Sequence, residues 1–286
     1  MRHGPRRQRA GARPAAANGM ALCGVRPFQA GFLVFSDFQR GPLRLSALMK
    51  LPVVHIYTHD SISMGEDGPT HQPFEQLASL RAMPGVVDLR PADANEIREA
   101  WRVLLPMTDR PVALVLGKQE APVIDRARYA PASGLARGGY VLADPPGGRH
   151  PDAIIIASGS EVALAVEAYE DLSAGGVDVR VVSLPSWALF EEQDRAYRDL
   201  VLPPEVTARV AVEQAAALGW ERWTGTQGTI IGMRSFGVSG PGRDVRRHFG
   251  FTAGAIAEAV RGCLVAAGAN ASRPQPGLPA GSVAQR

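Results

Sequence analysis

The sequence predicts an α/β protein made of two α/β domains with mainly parallel sheets. Three observations lead there. Apolar, β-branched runs without a period of two recur along the chain, at 51–58 (LPVVHIYT), 112–116 (VALVL) and 154–156 (III), as expected of strands covered on both faces. Amphipathic stretches separate these runs, so strand and helix alternate. The length of 286 residues, 45% of them apolar, suffices for two ordinary cores.

Taken in order, residues 32–35 (FLVF) read as a buried strand, and 40–50 as a short helix with Leu43, Leu45 and Leu48 on its apolar side. The run at 51–58 is a parallel strand. Phe74, Leu77, Ala78 and Leu80 are spaced for one face of a helix over 70–83. Residues 86–90 form a strand. Asp93 then caps a helix reaching about residue 105, and Glu96 completes a capping box. The strand at 112–116 follows. The chain breakers of 144–151 (DPPGGRHP) read as an interdomain linker. Beyond it, a strand at 154–156, a helix from Ser160 to about Ser173 and a strand at 179–184 make one βαβ unit. Further strands at 206–212 and 228–233 and a helix at 253–265 complete a second domain over 152–267. Residues 268–286 lack a hydrophobic period and read as a disordered tail.

The net charge of +3 and pI near 9.1 invite a nucleic-acid reading. The charge is not spread evenly. Arg2, Arg6, Arg7, Arg9 and Arg13 lie in residues 1–17, and Asp37 is the first carboxylate of the chain. Without those seventeen residues, 26 basic side chains face 28 acidic ones, a net charge of −2. Residues 1–17 are therefore read as an irregular basic leader and no nucleic-acid partner is expected. No apolar run approaches the roughly eighteen residues of a spanning helix, so no membrane association is expected either. Cys23 and Cys263 are two lone thiols, which fits a reducing, cytoplasmic location.

Titratable side chains are densest at 58–73, THDSISMGEDGPTHQP. The segment follows a strand and so lies at its carboxyl end, where open α/β sheets bind ligands. Gly65, Gly68, Pro69 and Pro73 forbid a continuous helix. His59 and His71, with Asp60 and Asp67 between them, match no standard zinc spacing, and no metal site is expected. Neutral histidines here can donate hydrogen bonds or carry protons near pH 7. The turn Ser158-Gly159-Ser160 could cap its helix or hold an anion; the cap is preferred.

This string, with NGMAL at 18–22, FLVFSDF at 32–38, RPADANE at 90–96, RGGYVL at 137–142, ASGSEV at 157–162, RVVSLP at 180–185 and FGFT at 249–252, resembles transketolase over roughly residues 18–267. The resemblance implies a pyrimidine-binding domain over 18–143, incomplete at its start, followed by the transketolase C-terminal domain. It also implies transfer of a two-carbon ketol unit between sugar phosphates, with thiamine diphosphate as cofactor. Phe32, Phe35 and Phe38 match the pocket of the aminopyrimidine ring, with Phe35 at the stacking position; aromatic rings suit such a partner. His59, Asp67 and His71 match substrate-facing positions, the two histidines being the proton carriers. Lys118 stands where an arginine commonly grips the sugar phosphate, and Gly117 where a hydroxyl commonly helps it, so phosphate binding is expected to be weaker.

Two departures matter. The family's diphosphate- and metal-binding domain (Mg2+ or Ca2+) carries a Gly-Asp-Gly motif, and that string does not occur in this sequence. The activating glutamate of the pyrimidine domain, about eight residues before the Asn-Gly of NGMAL, falls on Ala10, or on Arg7 in a shifted alignment. The lone chain is therefore expected to be inactive, and to need a complementary N-terminal transketolase half or a homo-oligomer. A non-catalytic remnant is the alternative. Deoxyxylulose phosphate synthase lacks the THDS lead and the β subunit of oxo-acid dehydrogenases lacks the GEDGPTHQP string, which argues against both.

Overall fold

A computed structural model describes residues 6–271; the expected tail falls almost wholly outside them. The first sheet has the strands β1 (Phe28–Phe32), β2 (Val54–Asp60), β3 (Val87–Leu89) and β4 (Val112–Gly117) in the order β1-β2-β4-β3, every pair parallel. The helices α2 (Arg40–Leu48), α3 (Gln76–Arg81) and α4 (Ala94–Leu104) make the crossovers. The second sheet has β5 (Tyr140–Ala143), β6 (Ala153–Ala157), β7 (Val179–Ser183), β8 (Arg209–Ala216) and β9 (Thr229–Met233) in the order β5-β7-β6-β8-β9. Only the edge pair β5–β7 is antiparallel.

The missing period of two has a direct cause in the second sheet. Ile155, Val181, Val210 and Val212 face a core closed by α5 (Glu161–Ala174) and α10 (Ala253–Ala271). Ile154, Ile156, Val182 and Ala211 face another, filled by Trp187, Phe190, Trp220 and Trp223. Each strand must be apolar on both sides. Trp187 and Trp223 ride on the short helices α6 (Trp187–Glu191) and α8 (Glu221–Thr224), and Trp220 is the residue just before α8. With α7 (Arg195–Val201) between them, these are too brief for a hydrophobic period. Asp93 caps α4 by accepting from Glu96 N, while Glu96 accepts from Ala92 N, one residue before the cap.

Several boundaries differ from expectation. Residues 6–17 are not irregular: with 18–22 they form α1 (Arg6–Leu22). Alanine is the strongest helix former, and Ala17 is fully buried beside Leu51 and Val53. Asn18 ties α1 to α2 through Pro42 O (2.8 Å) and Ser46 Oγ (2.6 Å). The strand expected at 32–35 ends at Phe32, where a 3-10 turn, Leu33–Gln39, begins. Its buried residues Leu33, Ser36 and Gln39 recur every third position, and two of them are polar, so a hydrophobic pattern could not show the turn. The helix expected at 70–83 is confined to α3, because Pro73 cannot donate its backbone hydrogen bond. Residues 144–151 connect β5 to β6 within the second sheet, so the crossing between sheets precedes Tyr140. Proline and glycine there mark a turn, not a domain boundary.

Residues 242–268 are long and apolar enough to cross a membrane by length and composition. They form two helices, α9 (Gly242–His248) and α10, and α10 buries Ile256, Ala257, Val260 and Cys263 in the second domain's core.

Candidate functional site

The carboxyl ends of β1, β2 and β4 meet on one edge of the first sheet and bring the sequence-predicted residues together. β1 ends on Phe32, and the 3-10 turn carries Phe35 and Phe38 onward. β2 delivers His59, and the loop after it returns with Asp67 and His71. Lys118 follows the last residue of β4. The imidazole of His59 stacks on Phe32 with ring centroids 3.6 Å apart and planes 22° from parallel. Phe35 lies 5.9 Å from Phe32, 6.3 Å from Phe38 and 5.5 Å edge-on from His71. Lys118 Nζ is 3.2 Å from Asp67 Oδ2, with both side chains more than a third exposed.

Electrostatics suit neutral histidine. Burial holds the His59 pKa below its usual range, and the Lys118 cation and His71 act in the same direction, opposed by Asp67. Thr58 Oγ1 lies 2.9 Å from His59 Nδ1, and Thr70 Oγ1 lies 3.0 Å from His71 Nδ1. The Lys118–Asp67 pair is an exposed one, worth about 0–1 kcal/mol, so a ligand can exchange it cheaply for its own phosphate and hydroxyl groups.

The loop itself was expected to be irregular, but most of it is braced. A 3-10 segment, Ile62–Asp67, breaks at Gly65, whose φ is 69°. A Cβ on Gly65 would lie 2.8 Å from Gly242 N and 2.9 Å from Gly240 O in the second domain. Gln72 Nε2 donates to Gly65 O and Val238 O, and Ser239 Oγ donates to Glu66 O. At the start of the loop, His59 and Ser61 have positive φ of 63° and 67°. Asp60 between them is buried, and its Oδ2 accepts from Arg90 Nε at 2.8 Å. Arg90 also meets Ser158 O and Glu161. Arg81 binds Asp88 and makes a two-pronged contact with Glu213. Sequence reasoning missed this interdomain cluster. Its one visible sign is the polar pair Glu213-Gln214 inside the apolar run 208–217 (ARVAVEQAAA).

The rings of Phe32, Phe35 and Phe38 present an aromatic surface of the kind on which a flat heteroaromatic partner stacks. Among the described residues, no group of three or more His, Cys, Asp or Glu side chains could hold a metal ion.

The transketolase pyrimidine-binding domain model matches residues 12–123, and the transketolase-like C-terminal domain model matches 138–252. The chain is 52% identical over 239 residues to the transketolase of Geobacillus stearothermophilus, covering 83% of this chain and 36% of that protein. The structure of a Pichia stipitis transketolase in complex with sedoheptulose 7-phosphate superposes with a TM-score of 0.83 at 35% identity, over 91% of this chain and 37% of that one. A split-gene transketolase described as an inactive β4 tetramer shares the fold at 23% identity and a TM-score of 0.70, over 92% of this chain and 82% of that one. The chain thus spans little more than a third of the length of the curated relatives it matches. With both of its domains matched, it belongs to the transketolase family, of which it carries the pyrimidine-binding and C-terminal domains.

Proposed function

We propose that this chain is the pyrimidine- and sugar-binding part of a transketolase, serving transfer of a two-carbon ketol unit between sugar phosphates. The observation that carries the reading is the aromatic cluster of Phe32, Phe35 and Phe38 set directly against His59, His71 and the Asp67–Lys118 pair. Phe35, flanked by the other two rings, would hold the aminopyrimidine of thiamine diphosphate by stacking. Bound there, the cofactor supplies the carbon nucleophile that the side chains of this chain lack. His59, kept neutral, can hold a sugar oxygen and pass a proton, and His71 faces the same space. Asp67 accepts from a sugar hydroxyl, and Lys118 meets the sugar phosphate as a point charge.

The diphosphate and its divalent metal need a different set of groups, which a complementary transketolase half would bring. An apolar surface supports such a partner. Met20 and Leu22 on α1, Phe28 on the edge strand β1, Leu45 and Leu48 on α2 and Met49 just after it are all exposed, and exposed apolar patches mark interfaces. Ala10, or Arg7 in the shifted alignment, in place of the family's activating acid favours an inactive lone chain, and equally a non-catalytic remnant.

One experiment separates these. The chain is assayed with thiamine diphosphate, magnesium, xylulose 5-phosphate and ribose 5-phosphate, alone and with a chain bearing the Gly-Asp-Gly half, and cofactor binding is followed by calorimetry. Binding and transfer only in the mixture, both lost in Phe35→Ala, support the proposal. Transfer at an ordinary enzyme rate by the lone chain overturns the need for a partner. No cofactor binding in the mixture leaves the remnant reading.

A further inference from the structure

The turn that presents His59 is held from the other domain. Positive φ at His59 and Ser61 costs free energy for residues with a side chain, and it persists only where the surroundings over-determine it. Part of that restraint comes from the first sheet, where a register shift between Tyr57 and Asp60 pairs Asp60 with Gly117. The rest comes from α5 and β8. Ser63 Oγ donates to Gln214 Oε1 at 2.7 Å, and Ser61 Oγ to the same oxygen at 3.4 Å. Gln214 Nε2 donates to Glu161 Oε1, and Glu161 Oε2 binds Arg90 Nη1. Arg90 Nε in turn holds Asp60. The hydrogen bonds thus run from Ser61 and Ser63 through Gln214, Glu161 and Arg90 back to Asp60, enclosing the turn. Gln214 and Glu161 are both fully buried. Gln214 also sits where the β8–β9 register shifts, between Glu213 and Ala216, and such irregularities re-aim a side chain out of its strand's regular alternation.

We infer that Gln214 and Glu161 of the C-terminal domain are positioning residues that hold the His59 imidazole against Phe32. Neither lies among the rings or charged groups of the site. They act through the backbone of 59–63 and through Arg90. A side chain on a loop would otherwise sample several orientations, and small misplacements of reacting groups are expensive in rate. The inference rests on the proposed function only for what His59 does. Where His59 sits can be read without cofactor, sugar or partner.

The test is proton NMR of the histidine rings in the full chain. Stacking on Phe32 at 3.6 Å shifts the His59 ring protons upfield, and its titration lies below the ordinary histidine range because of burial first, then Lys118 and His71, against Asp67. In Gln214→Leu, a near-isosteric change, the upfield shift is expected to collapse and the His59 midpoint to rise toward the ordinary value. Exposed His150 serves as the unmoved control. The double variant Glu161→Gln with Gln214→Glu exchanges donor and carboxylate while keeping the total charge, and is expected to restore both signals. Loss of a hydrogen bond important only to stability would lower the unfolding temperature without moving the His59 resonances. A folded Gln214→Leu chain with unchanged His59 signals overturns the inference, as does a folded double variant that fails to restore them. Should Gln214→Leu not fold, Ser63→Ala removes the shorter of the two serine contacts from the other side and is read by the same two outcomes.

Discussion

Asp60 offers the most quantitative test of the interdomain cluster. Its carboxylate is fully enclosed, and although Arg90 lies 2.7 Å away, burial pushes its pKa up to about 6, helped by the neighbouring Glu161 and Glu213 charges and opposed by Arg90. One guanidinium is shared among three carboxylates, so it does not offset the desolvation of each. The geometry shows where a proton would go: Oδ2 is taken by Arg90, while the buried Oδ1 has no hydrogen-bond partner. A folded-state pKa above the unfolded value of 3.8 means that the neutral form favours the fold. This contribution is fully present below the unfolded pKa and is lost as pH rises through about 6. That difference corresponds to about 3 kcal/mol in full, and to about 1 kcal/mol between about pH 7.5 and pH 5.

The pH dependence of the wild-type chain alone would conceal this. Buried His55 has its pKa lowered to about 4 by desolvation, so its contribution is present above about 6.5 and fades as pH falls, against Asp60 in the same window. Asp60→Asn isolates the effect, since it removes one titration and leaves His55 in place. Paired urea unfolding curves at several pH values should show the wild type gaining about 1 kcal/mol relative to the variant on going from about pH 7.5 to pH 5. A difference that stays flat, or that reverses sign, would mean that Arg90 outweighs burial, and the reasoning would be refuted.

Other expectations follow from individual contacts. Arg81→Met removes the guanidinium between Asp88 and Glu213 and leaves buried carboxylates behind, which should cost about 3–5 kcal/mol in urea unfolding. Gly138→Ala puts a Cβ 2.2 Å from Phe190 N at a φ of 79°; the combined clash and strain should cost about 3 kcal/mol or more, read as a lowered unfolding temperature. Lys118→Arg replaces a point charge by a fork and should tighten sugar-phosphate binding by about 1 kcal/mol, roughly fivefold in KM of the assembled enzyme.

What the sequence made legible depended on how local the cause was. β4 and β6 were readable because each is apolar on both faces, a property carried by consecutive residues, and β7 because its valines flank a single arginine. α4 was readable because Asp93 and Glu96 announce its start. α1 was hidden by Pro14 and by arginines that suggested an irregular leader, although Ala17 and Asn18 pack on α2 and on the segment leading into β2. The 3-10 turn after β1 was hidden because two of its three buried residues, Ser36 and Gln39, are polar. The candidate site was found through a long string, and the structure places Phe32, Phe35, His59 and His71 in one ring cluster. Gln214 could not be found that way. Its importance lies in a contact with Ser63, and nothing in its own neighbourhood points to residues so distant in the chain.

That dependence implies that the first domain does not hold its own loop. Ile62, Ser63, Met64 and Gly65 are buried against glycines of the second domain: a Cβ on Gly237 would meet Gln72 and Ile62, one on Gly242 would meet Ser63 O, and one on Gly65 would meet Gly240 O and Gly242 N. The cores interlock as well, with Ala215 inside the cluster of Leu77 and Leu80, and Leu189 inside that of Leu89 and Leu104. Cutting the chain before Gly138 would leave Asp60, Arg81, Asp88 and Arg90 facing water without Glu161 or Glu213, and would expose both apolar seams. Limited proteolysis read by mass spectrometry should find residues 60–72 cut early in such a fragment and resistant in the full chain, since cleavage follows the population of locally open states. Equal protection of that segment in both would show that the strained turn at His59 and Ser61 is maintained within the first sheet alone, through the Asp60–Gly117 pairing, and that the second domain is not needed to hold it.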